Sequence, residues 1–345
     1  MSEMTGRERF LAVLRNEEYD IIPAAAFTSV ATVDAMRISR AYFPAAHTDG
    51  AKMADLASVG HDVFGFDTVV PYFSVLLEAS ALGSDINWGS ETKSPFVSKP
   101  AFESLDDISI PDNFMKKDEF CQLIRAVSML RKKYKNDVAV IGKVIGPWTL
   151  AFNLYGVDKL VLDTILEPEK TKKLIAELSR IPVAFAKAQF EAGADAVTWA
   201  DHVTGDLFGP SIYRDFVYDV HKAVCKELKP YGPIILHACG NVEDRIDLFA
   251  SAGFDCFHMD SRNDISVLMG KCGKMKLVGG INNPVVLTRG VPSMVKNAVM
   301  ANIKGGTAMI GPECAIPTNV STETLKLLAA TVHNPGNMKY IHSKK

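Results

Sequence analysis

Short apolar runs alternate with longer amphipathic stretches along most of the chain. Each run is continuously apolar, which is typical of strands that are buried on both faces of a parallel sheet. Eight runs are predicted to be strands, and they cover residues 21–27, 66–73, 138–147, 196–203, 233–240, 254–260, 276–282 and 307–315.

The stretches between these runs carry apolar residues at helical spacing. Ser211 and Ser321 are the predicted N-caps of two of the helices. The predicted helices cover residues 3–16, 168–192, 211–229 and 321–333. Eight strands alternating with helices predict an α/β fold, a single (β/α)8 TIM barrel over residues 1–345 with an N-terminal helical extension.

The longest interval between predicted strands covers residues 74–137. Its middle is polar and rich in Pro, Gly and Ser, which predicts an insertion after strand 2. This insertion is either a lid over the barrel mouth or a plain surface excursion. The alternative architecture, an open doubly wound sheet, more often has a glycine-rich turn after its first strand, and this chain has none there.

Charge and hydropathy exclude several classes of partner. The 345 residues include 38 Lys and Arg against 40 Asp and Glu, with no basic block, so we expect no nucleic-acid partner. No apolar run approaches the ~18–20 residues that span a bilayer. The N-terminus also lacks the apolar core of a signal peptide. We therefore expect no membrane insertion and a cytoplasmic location.

Polar residues follow the predicted strands at the end where barrel active sites are built. They come in pairs after the last five strands: Asp201 and His202, His237 and Cys239, His258 and Asp260, Asn282 and Asn283, and Glu313 and Cys314. Because inward side chains of all strands converge near the barrel axis, these residues are candidates for one shared site.

His237, Cys239 and Cys314 are the predicted metal ligands. Residues two apart on a strand point to the same face, so His237 and Cys239 can reach one ion. Two thiolates and one imidazole suit Zn2+, and three protein ligands leave the open position of a catalytic zinc. Asp260 is a candidate for the fourth position.

A His-x-Cys pair alone is weak support for a metal site, because buried cysteines are common. The three residues together indicate a site because all of them fall at predicted strand ends beside Gly or Pro. The other cysteines are predicted to be non-functional thiols outside any disulfide: Cys121, Cys225, Cys256 and Cys272.

Two motifs carry a family resemblance, LHACGN at 236–241 and IGPECAIPTNVSTETL at 310–325. They resemble the methylcobamide:coenzyme M methyltransferases of the uroporphyrinogen decarboxylase superfamily, and the similarity extends from residues 6–23 to the last helix. In that family the His-x-Cys pair and the late cysteine bind zinc. The spacing is also similar to cobalamin-independent methionine synthase, in which a later carboxylate completes the site; Asp260 takes that place here.

The resemblance implies a zinc-dependent methyltransferase that moves a methyl group from a methylated corrinoid to a small thiol, coenzyme M. Methylcobalamin would be presented by a separate corrinoid protein. Zinc deprotonates a bound thiol, and the thiolate is the nucleophile that displaces the methyl group from cobalt.

Other strand-end residues are predicted to shape the pocket. Asp201, His202 and Asp260 are the candidate catalytic residues, while Asn282 and Asn283 are candidate cofactor-binding amides. Lys143 and Arg262 are candidates to meet an anionic tail of the substrate.

Several alternatives stay open at this stage. The acceptor could instead be tetrahydrofolate or homocysteine, the reaction could be a decarboxylation, or the protein could be a non-catalytic zinc- or corrinoid-binding module. Residues 21–36 contain no arginine, unlike the Arg-rich loop that holds substrate carboxylates in uroporphyrinogen decarboxylases. A structural zinc is normally closed by four protein ligands, so three ligands favour catalysis.

Overall fold

A computed structural model describes residues 3–337. The predicted single domain over 1–345 also includes residues 1–2 and 338–345, which lie outside this range. The strands are β1 Thr68–Val69, β2 Asp85–Asn87, β3 Phe96–Lys99, β4 Ala139–Ile145, β5 Ala196–Ala200, β6 Ile234–His237, β7 Cys256–Met259, β8 Lys276–Ile281 and β9 Met309–Pro312.

The strands alternate with helices, as predicted. The helices are α1 Gly6–Arg15, α2 Val33–Ser39, α3 Gly50–Asp62, α4 Leu77–Ala81, α5 Asp118–Tyr134, α6 Pro147–Tyr155, α7 Val157–Leu166, α8 Pro168–Leu178, α9 Arg180–Glu191, α10 Pro210–Ile212, α11 Tyr218–Leu228, α12 Ile246–Ala252, α13 Ile265–Lys271, α14 Pro292–Gly305 and α15 Thr322–Val332.

Seven strands form one parallel sheet in the order β1-β4-β5-β6-β7-β8-β9, and β2 and β3 form a separate antiparallel hairpin. The last six predicted strands are all present, each within its predicted range. The strand predicted at 66–73 is reduced to the two residues of β1.

The strand predicted at 21–27 is not a regular strand, yet this segment closes the barrel. Ala24 makes an isolated parallel bridge to Ile310, and on its other side its carbonyl accepts the Asp67 N–H at 2.8 Å. The side chains of Asp67 and Thr68 accept further N–H groups of the segment, in place of a backbone ladder. The predicted (β/α)8 barrel is therefore confirmed, with an irregular segment in the place of its first strand.

Gly311 allows this closure. A Cβ at Gly311 would lie 1.9 Å from the carbonyl oxygen of Ala25, so any larger residue would push the closing segment away from β9. The close approach also fixes where the chain after β9 emerges at the mouth.

The barrel interior is a separate apolar core whose lower end is covered by α1. Phe10 and Val13 of this helix pack against inward side chains of the barrel, while Leu11 and Leu14 are partly buried beside them. The N-terminal helical extension is thus confirmed. The inward residues are Ala25, Phe27, Val70, Ala139, Ile141, Ala196, Ile235, Cys256, Val278 and Met309.

Two helix predictions need correction. The helix predicted at 168–192 is split into α8 and α9 at Ser179, since Pro182 has no N–H to donate to the preceding turn. Ser211 is not an N-cap, because the helix already begins at Pro210 after Gly209. The N-cap prediction for Ser321 is confirmed, with its hydroxyl accepting the Thr324 N–H at 3.2 Å.

The predicted insertion after strand 2 is present as α4 and the β2–β3 hairpin. Trp88, just after β2, stacks over the ring of His47 with 5.7 Å between ring centroids. Within residues 3–337, no helix is both long and apolar enough to cross a bilayer.

Candidate metal centre

The three predicted metal ligands meet at the mouth of the barrel. His237 is the last residue of β6, Cys239 follows two residues later, and Cys314 lies two residues beyond β9. The Cys239 Sγ lies 3.3 Å from His237 Nε2 and 3.4 Å from Cys314 Sγ, and Cys314 Sγ lies 3.5 Å from His237 Nε2. These donor atoms form a nearly equilateral triangle.

The triangle fits a zinc ion. The point equidistant from the three donor atoms lies roughly 2 Å from each, close to Zn–N and Zn–S bond lengths of about 2.1 and 2.3 Å. His237 is buried and both cysteines are half-buried, so a fourth position faces the mouth. In the described part of the chain, these three side chains form the one group of His, Cys, Asp and Glu ligand atoms close enough to share an ion.

Backbone carbonyls hold the His237 ring in place. The His237 Nδ1 lies 3.3 Å from the carbonyl oxygen of His258, which leaves Nε2 facing the sulfur atoms. A hydrogen bond of this kind at the second ring nitrogen fixes the tautomer of a metal-binding histidine. The His258 ring packs against that of His237, with centroids 4.6 Å apart, and its Nε2 donates to the Pro312 carbonyl at 2.8 Å.

The turn after Cys239 is held from the next strand. Gly240 has φ +88°, and a Cβ there would lie 2.2 Å from Thr204 Oγ1, so only glycine fits. The Gly240 N–H donates to Asp260 Oδ2 at 2.8 Å, and its carbonyl accepts from Asn263 Nδ2 at 2.9 Å. Asp260 and Asn263 thereby fix the position of Cys239.

Asp260 is not in the metal-binding group. Both of its oxygens accept hydrogen bonds from Arg262, at 2.8–3.2 Å, in addition to the Gly240 bond. Burial alone raises the pKa of Asp260, but these donors lower it below its usual range, so the carboxylate stays charged. Arg262 also binds Asp206 at 2.7 Å, so two carboxylates already occupy its guanidinium group.

The Sγ atoms of Cys239 and Cys314 lie within hydrogen-bond distance of each other, so the titrations of the two thiols are linked. The hydrogen bond between them lowers the pKa of Cys314 and raises that of Cys239. The pair therefore gives up its first proton more readily than its second. A dication at the triangle would displace this remaining proton.

Asp201 and His202 directly follow β5 and have different surroundings. Asp201 is buried between α6 and α11, where it accepts from the Thr149 N–H and hydroxyl at 2.8 Å and pairs with His221 at 3.0 Å. The charges of His237 and Cys314 act on His202, so its ring lies near the metal triangle. Burial and the charge of His237 lower the pKa of His202, so its imidazole is neutral.

Asn282 and Asn283 are engaged with the protein itself. Asn282 caps the turn that follows β8 by accepting the Val285 N–H at 2.6 Å, and it donates to Ser261. The Asn283 amide donates to the Ala315 carbonyl at 2.9 Å, while its buried Oδ1 has no hydrogen-bond partner among residues 3–337. These contacts position the loops around Cys314, and a cofactor-binding role for either amide stays a prediction.

The sequence profile of the family described as Uroporphyrinogen decarboxylase (URO-D) matches residues 5–335 of this chain. This match covers nearly the whole barrel. The chain belongs to the uroporphyrinogen decarboxylase family.

Relatives within the uroporphyrinogen decarboxylase family include methyltransferases. The chain is 30% identical over 332 residues to the methylated-thiol–coenzyme M methyltransferase of Methanosarcina mazei, covering 94% of this chain and 88% of the relative. It is 29% identical over 337 residues to the methylcobamide:CoM methyltransferase MtbA of Methanosarcina acetivorans, covering 97% and 99% of the two chains.

A solved structure of a methyltransferase from Methanosarcina mazei is similar over almost the entire length. Its TM-score is 0.91 at 26% sequence identity, with 96% of this chain and 98% of that chain covered. Together with the sequence relatives, it confirms the predicted family, the barrel fold and an enzyme of the methyltransferase type.

Two buried polar residues near the mouth of the barrel were not predicted from the sequence. Glu78 and His47 lie outside the predicted strands, and no sequence feature marks them. Lys143 is different, because it is one of the two residues predicted to meet an anionic tail; it lies inside an otherwise apolar strand. Burial raises the pKa of Glu78 to about 7, although Tyr72 and the Ile145 N–H donate to it.

Proposed function

We propose that this protein transfers a methyl group from a methylated corrinoid to a small thiol, at a zinc ion held by His237, Cys239 and Cys314. The observation that carries the proposal is the triangle of donor atoms with edges of 3.3–3.5 Å. Its members come from β6 and from the chain after β9, and they converge where barrels carry out their chemistry.

Zinc, when bound, stabilises the thiolate form of a substrate thiol at the open position and keeps it nucleophilic at neutral pH. Two cysteinates balance the charge of the dication. A zinc centre that is neutral overall would leave electron density on the substrate sulfur, which the attack on a methyl group requires.

The protein's own residues orient the reacting groups. The His258 carbonyl keeps His237 in the tautomer that presents Nε2. Asp260 and Asn263 hold the turn after Cys239, and Asp201 acts through Thr149, whose hydroxyl accepts the His202 N–H at 2.7 Å. We assign Asp201 and Asp260 as positioning residues, and His202 as the imidazole beside the open position.

The nature of the substrates is supported by the relatives. Those that match over nearly the full length are named for methyl transfer from methylcobamide to coenzyme M. We propose coenzyme M as the acceptor and a corrinoid protein as the partner that presents the donor. In the transfer, the sulfur–carbon bond forms as the cobalt–carbon bond breaks, and the electron pair of that bond stays on cobalt.

The test is demethylation of methylcobalamin, followed by its visible spectrum, with purified protein whose metal content is measured. Coenzyme M, homocysteine and tetrahydrofolate are compared in parallel. We expect about one zinc per chain and turnover with coenzyme M that is lost when a chelator removes the metal and restored by added zinc. Turnover that is unchanged in metal-free protein, or that occurs only with tetrahydrofolate, would contradict the proposal.

A further inference from the structure

A row of three buried polar side chains leads from the end of β5 to α11. Asp201 directly follows β5, Tyr213 is the first residue of the π-helical turn Tyr213–Val217, and His221 lies in α11. All three are at most 1% exposed. His221 Nε2 lies 3.0 Å from Asp201 Oδ2, and the Tyr213 hydroxyl lies 3.1 Å from His221 Nδ1. Neither His221 nor Tyr213 has a part in the proposed methyl transfer.

Hydrogen bonds from Thr149 connect this row to His202. Asp201 Oδ1 lies 2.8 Å from both the backbone nitrogen and the hydroxyl oxygen of Thr149. The Thr149 hydroxyl also accepts the His202 N–H at 2.7 Å, so its own proton goes to Asp201. A chain of hydrogen bonds with one direction therefore runs from the His202 backbone to the Asp201 carboxylate.

The tautomer of His221 follows from its neighbours. Because Nε2 faces a carboxylate oxygen, it carries the proton and donates to Asp201. Nδ1 is then unprotonated, and the Tyr213 hydroxyl donates to it. The indole N–H of Trp199 also lies 3.3 Å from His221 Nε2, but a nitrogen that carries a proton cannot accept it. The shorter, charge-assisted bond to Asp201 decides the tautomer, so every bond in the row points towards Asp201.

The Asp201 carboxylate caps α6. Gly146 is the N-cap residue of this helix and has no side chain to donate to, so Asp201 accepts the Thr149 N–H of the first turn instead. A Cβ at Gly146 would lie 2.3 Å from Asp201 Cγ, so glycine leaves the room that the carboxylate needs. A negative charge at a helix N-terminus is also favourable. Asp201 therefore holds the first turn of α6 against the end of β5.

His202 is held by α6 at two points. Its N–H donates to the Thr149 hydroxyl, and its ring centroid lies 5.9 Å from that of Phe152. The ring nitrogens of His202 make no hydrogen bond within residues 3–337, while the charges of His237 and Cys314 act on the ring. The place of this unpaired imidazole near the metal triangle therefore depends on the place of α6.

We propose that His221 and Tyr213 are positioning residues for His202. They hold Asp201, Asp201 holds the first turn of α6, and α6 holds the His202 imidazole beside the open metal position. The inference rests on the proposed function and extends it to two fully buried residues. The π-helical turn that begins at Tyr213 agrees with this role, because such turns are rare and occur frequently at functional sites.

The first experiment uses the protein as purified and needs no activity. Heteronuclear NMR of the histidine rings should show His221 with a proton on Nε2 and none on Nδ1. Tyr213→Phe removes one hydroxyl group and keeps the ring, so the His221 Nδ1 signal should move and the His202 amide should exchange with solvent about 3- to 10-fold faster. Tyr231→Phe, at an exposed tyrosine after α11, is the matched control. A proton on His221 Nδ1 in the wild type, or unchanged His202 exchange in Tyr213→Phe, would overturn the inference.

Methyl transfer from methylcobalamin gives the second readout. In Tyr213→Phe we expect kcat to fall about 3- to 10-fold, while the KM for coenzyme M and the zinc content stay as in the wild type. A group that supports only the transition state changes kcat in this way, whereas general damage to the fold also changes zinc binding. His221→Gln keeps an N–H donor near the place of Nε2 and should retain more activity than His221→Leu.

The positioning role and the proposed function fail in different ways. If the wild type methylates no thiol but the His221 tautomer and the His202 exchange are as expected, the row of hydrogen bonds stands and the proposed function is wrong. If the wild type is active, and Tyr213→Phe either has the wild-type kcat or loses zinc in proportion to its activity, the positioning role is wrong and the proposed function stands.

Discussion

The two ends of the barrel differ in how some of their buried polar groups are paired. At the end covered by α1, Arg9 binds Asp20 at 2.7 Å and Asp67 at 3.3 Å, and Asp67 also pairs with His333. At the mouth, the ammonium of Lys143 and the ring of His47 have no hydrogen-bond partner among residues 3–337.

Each arrangement has a consequence for the free energy of the fold. Paired charges at the α1 end fasten the N-terminal helix to the closing segment, because Asp67 also accepts the Ala24 N–H. Buried polar groups without a hydrogen-bond partner lower the stability of a fold, and a ligand that satisfies such groups at the mouth regains that free energy. We therefore expect changes at the α1 end to lower stability, and changes at the mouth to alter binding.

The largest effect should follow from removal of a metal ligand at the mouth. Cys314→Ala leaves one sulfur and one imidazole, so we expect the zinc affinity to fall by more than about 1000-fold and methyl transfer to be abolished. Zinc content by mass spectrometry and the methylcobalamin assay measure both. Cys121→Ala, at an exposed cysteine, is the control. One zinc per chain in Cys314→Ala protein would contradict the assignment of Cys314 as a metal ligand.

A charge removed at the other end should lower stability instead. Asp67→Ala leaves the buried guanidinium group of Arg9 with Asp20 alone, and we expect a loss of about 3 kcal/mol in the free energy of unfolding. Urea denaturation measures this, and the zinc content should not change. Glu103→Ala removes one partner of an exposed ion pair with Lys159 and should leave the free energy of unfolding almost unchanged. Equal losses in the two variants would contradict the prediction.

A third variant tests whether Asp260 holds the turn that follows Cys239 in place. Asp260→Asn weakens the bond to the Gly240 N–H and removes a charge from Arg262, so the zinc affinity should fall about 10-fold. Competition with a chromophoric chelator measures the affinity. Asp206→Asn is the control, because Asp206 pairs with the same arginine but makes no hydrogen bond to the Gly240 N–H. The zinc affinity of this variant should match that of the wild type.

The smallest effect concerns acid stability at the α1 end. Burial raises the pKa of Asp20, but the hydrogen bonds from Arg9 outweigh it and lower the pKa to about 2. A carboxyl group with a lowered pKa stabilises the fold above its unfolded value near pH 4, and this contribution is lost as the pH falls towards 2. Asp20→Asn should flatten the loss of stability between pH 4 and 2; an unchanged slope would show that Asp20 contributes nothing.

Continuous apolar runs were enough to predict most of the barrel. Strands β4 to β9 are buried on both faces, and such burial gives continuous apolar runs in the sequence. The closing segment at 21–27 was misread as a regular strand because its N–H groups go to the side chains of Asp67 and Thr68. The pattern of apolar residues does not show whether a backbone N–H donates to a side chain or to another strand.

The close approach of His237, Cys239 and Cys314 could be predicted because all three lie at or just after strand ends and the first two have i, i+2 spacing. The role of Asp260 could not, because its choice between an ion and the Gly240 N–H depends on the path of the turn. The position of His47 at the mouth could not be predicted either, for another reason. It comes to the mouth through contacts with Phe43 and Trp88, and Trp88 belongs to the hairpin inserted after β1.

The sulfur atoms of Cys239 and Cys314 lie 3.4 Å apart although 75 residues separate them in the sequence. An ion bound between them would act as a reversible cross-link that closes a long loop of chain, including α12, α13 and α14. Ligands that bind only the native state raise the midpoint of thermal unfolding in proportion to the logarithm of their free concentration. The heat resistance of the last third of this protein would therefore depend on the metal supply of the cell.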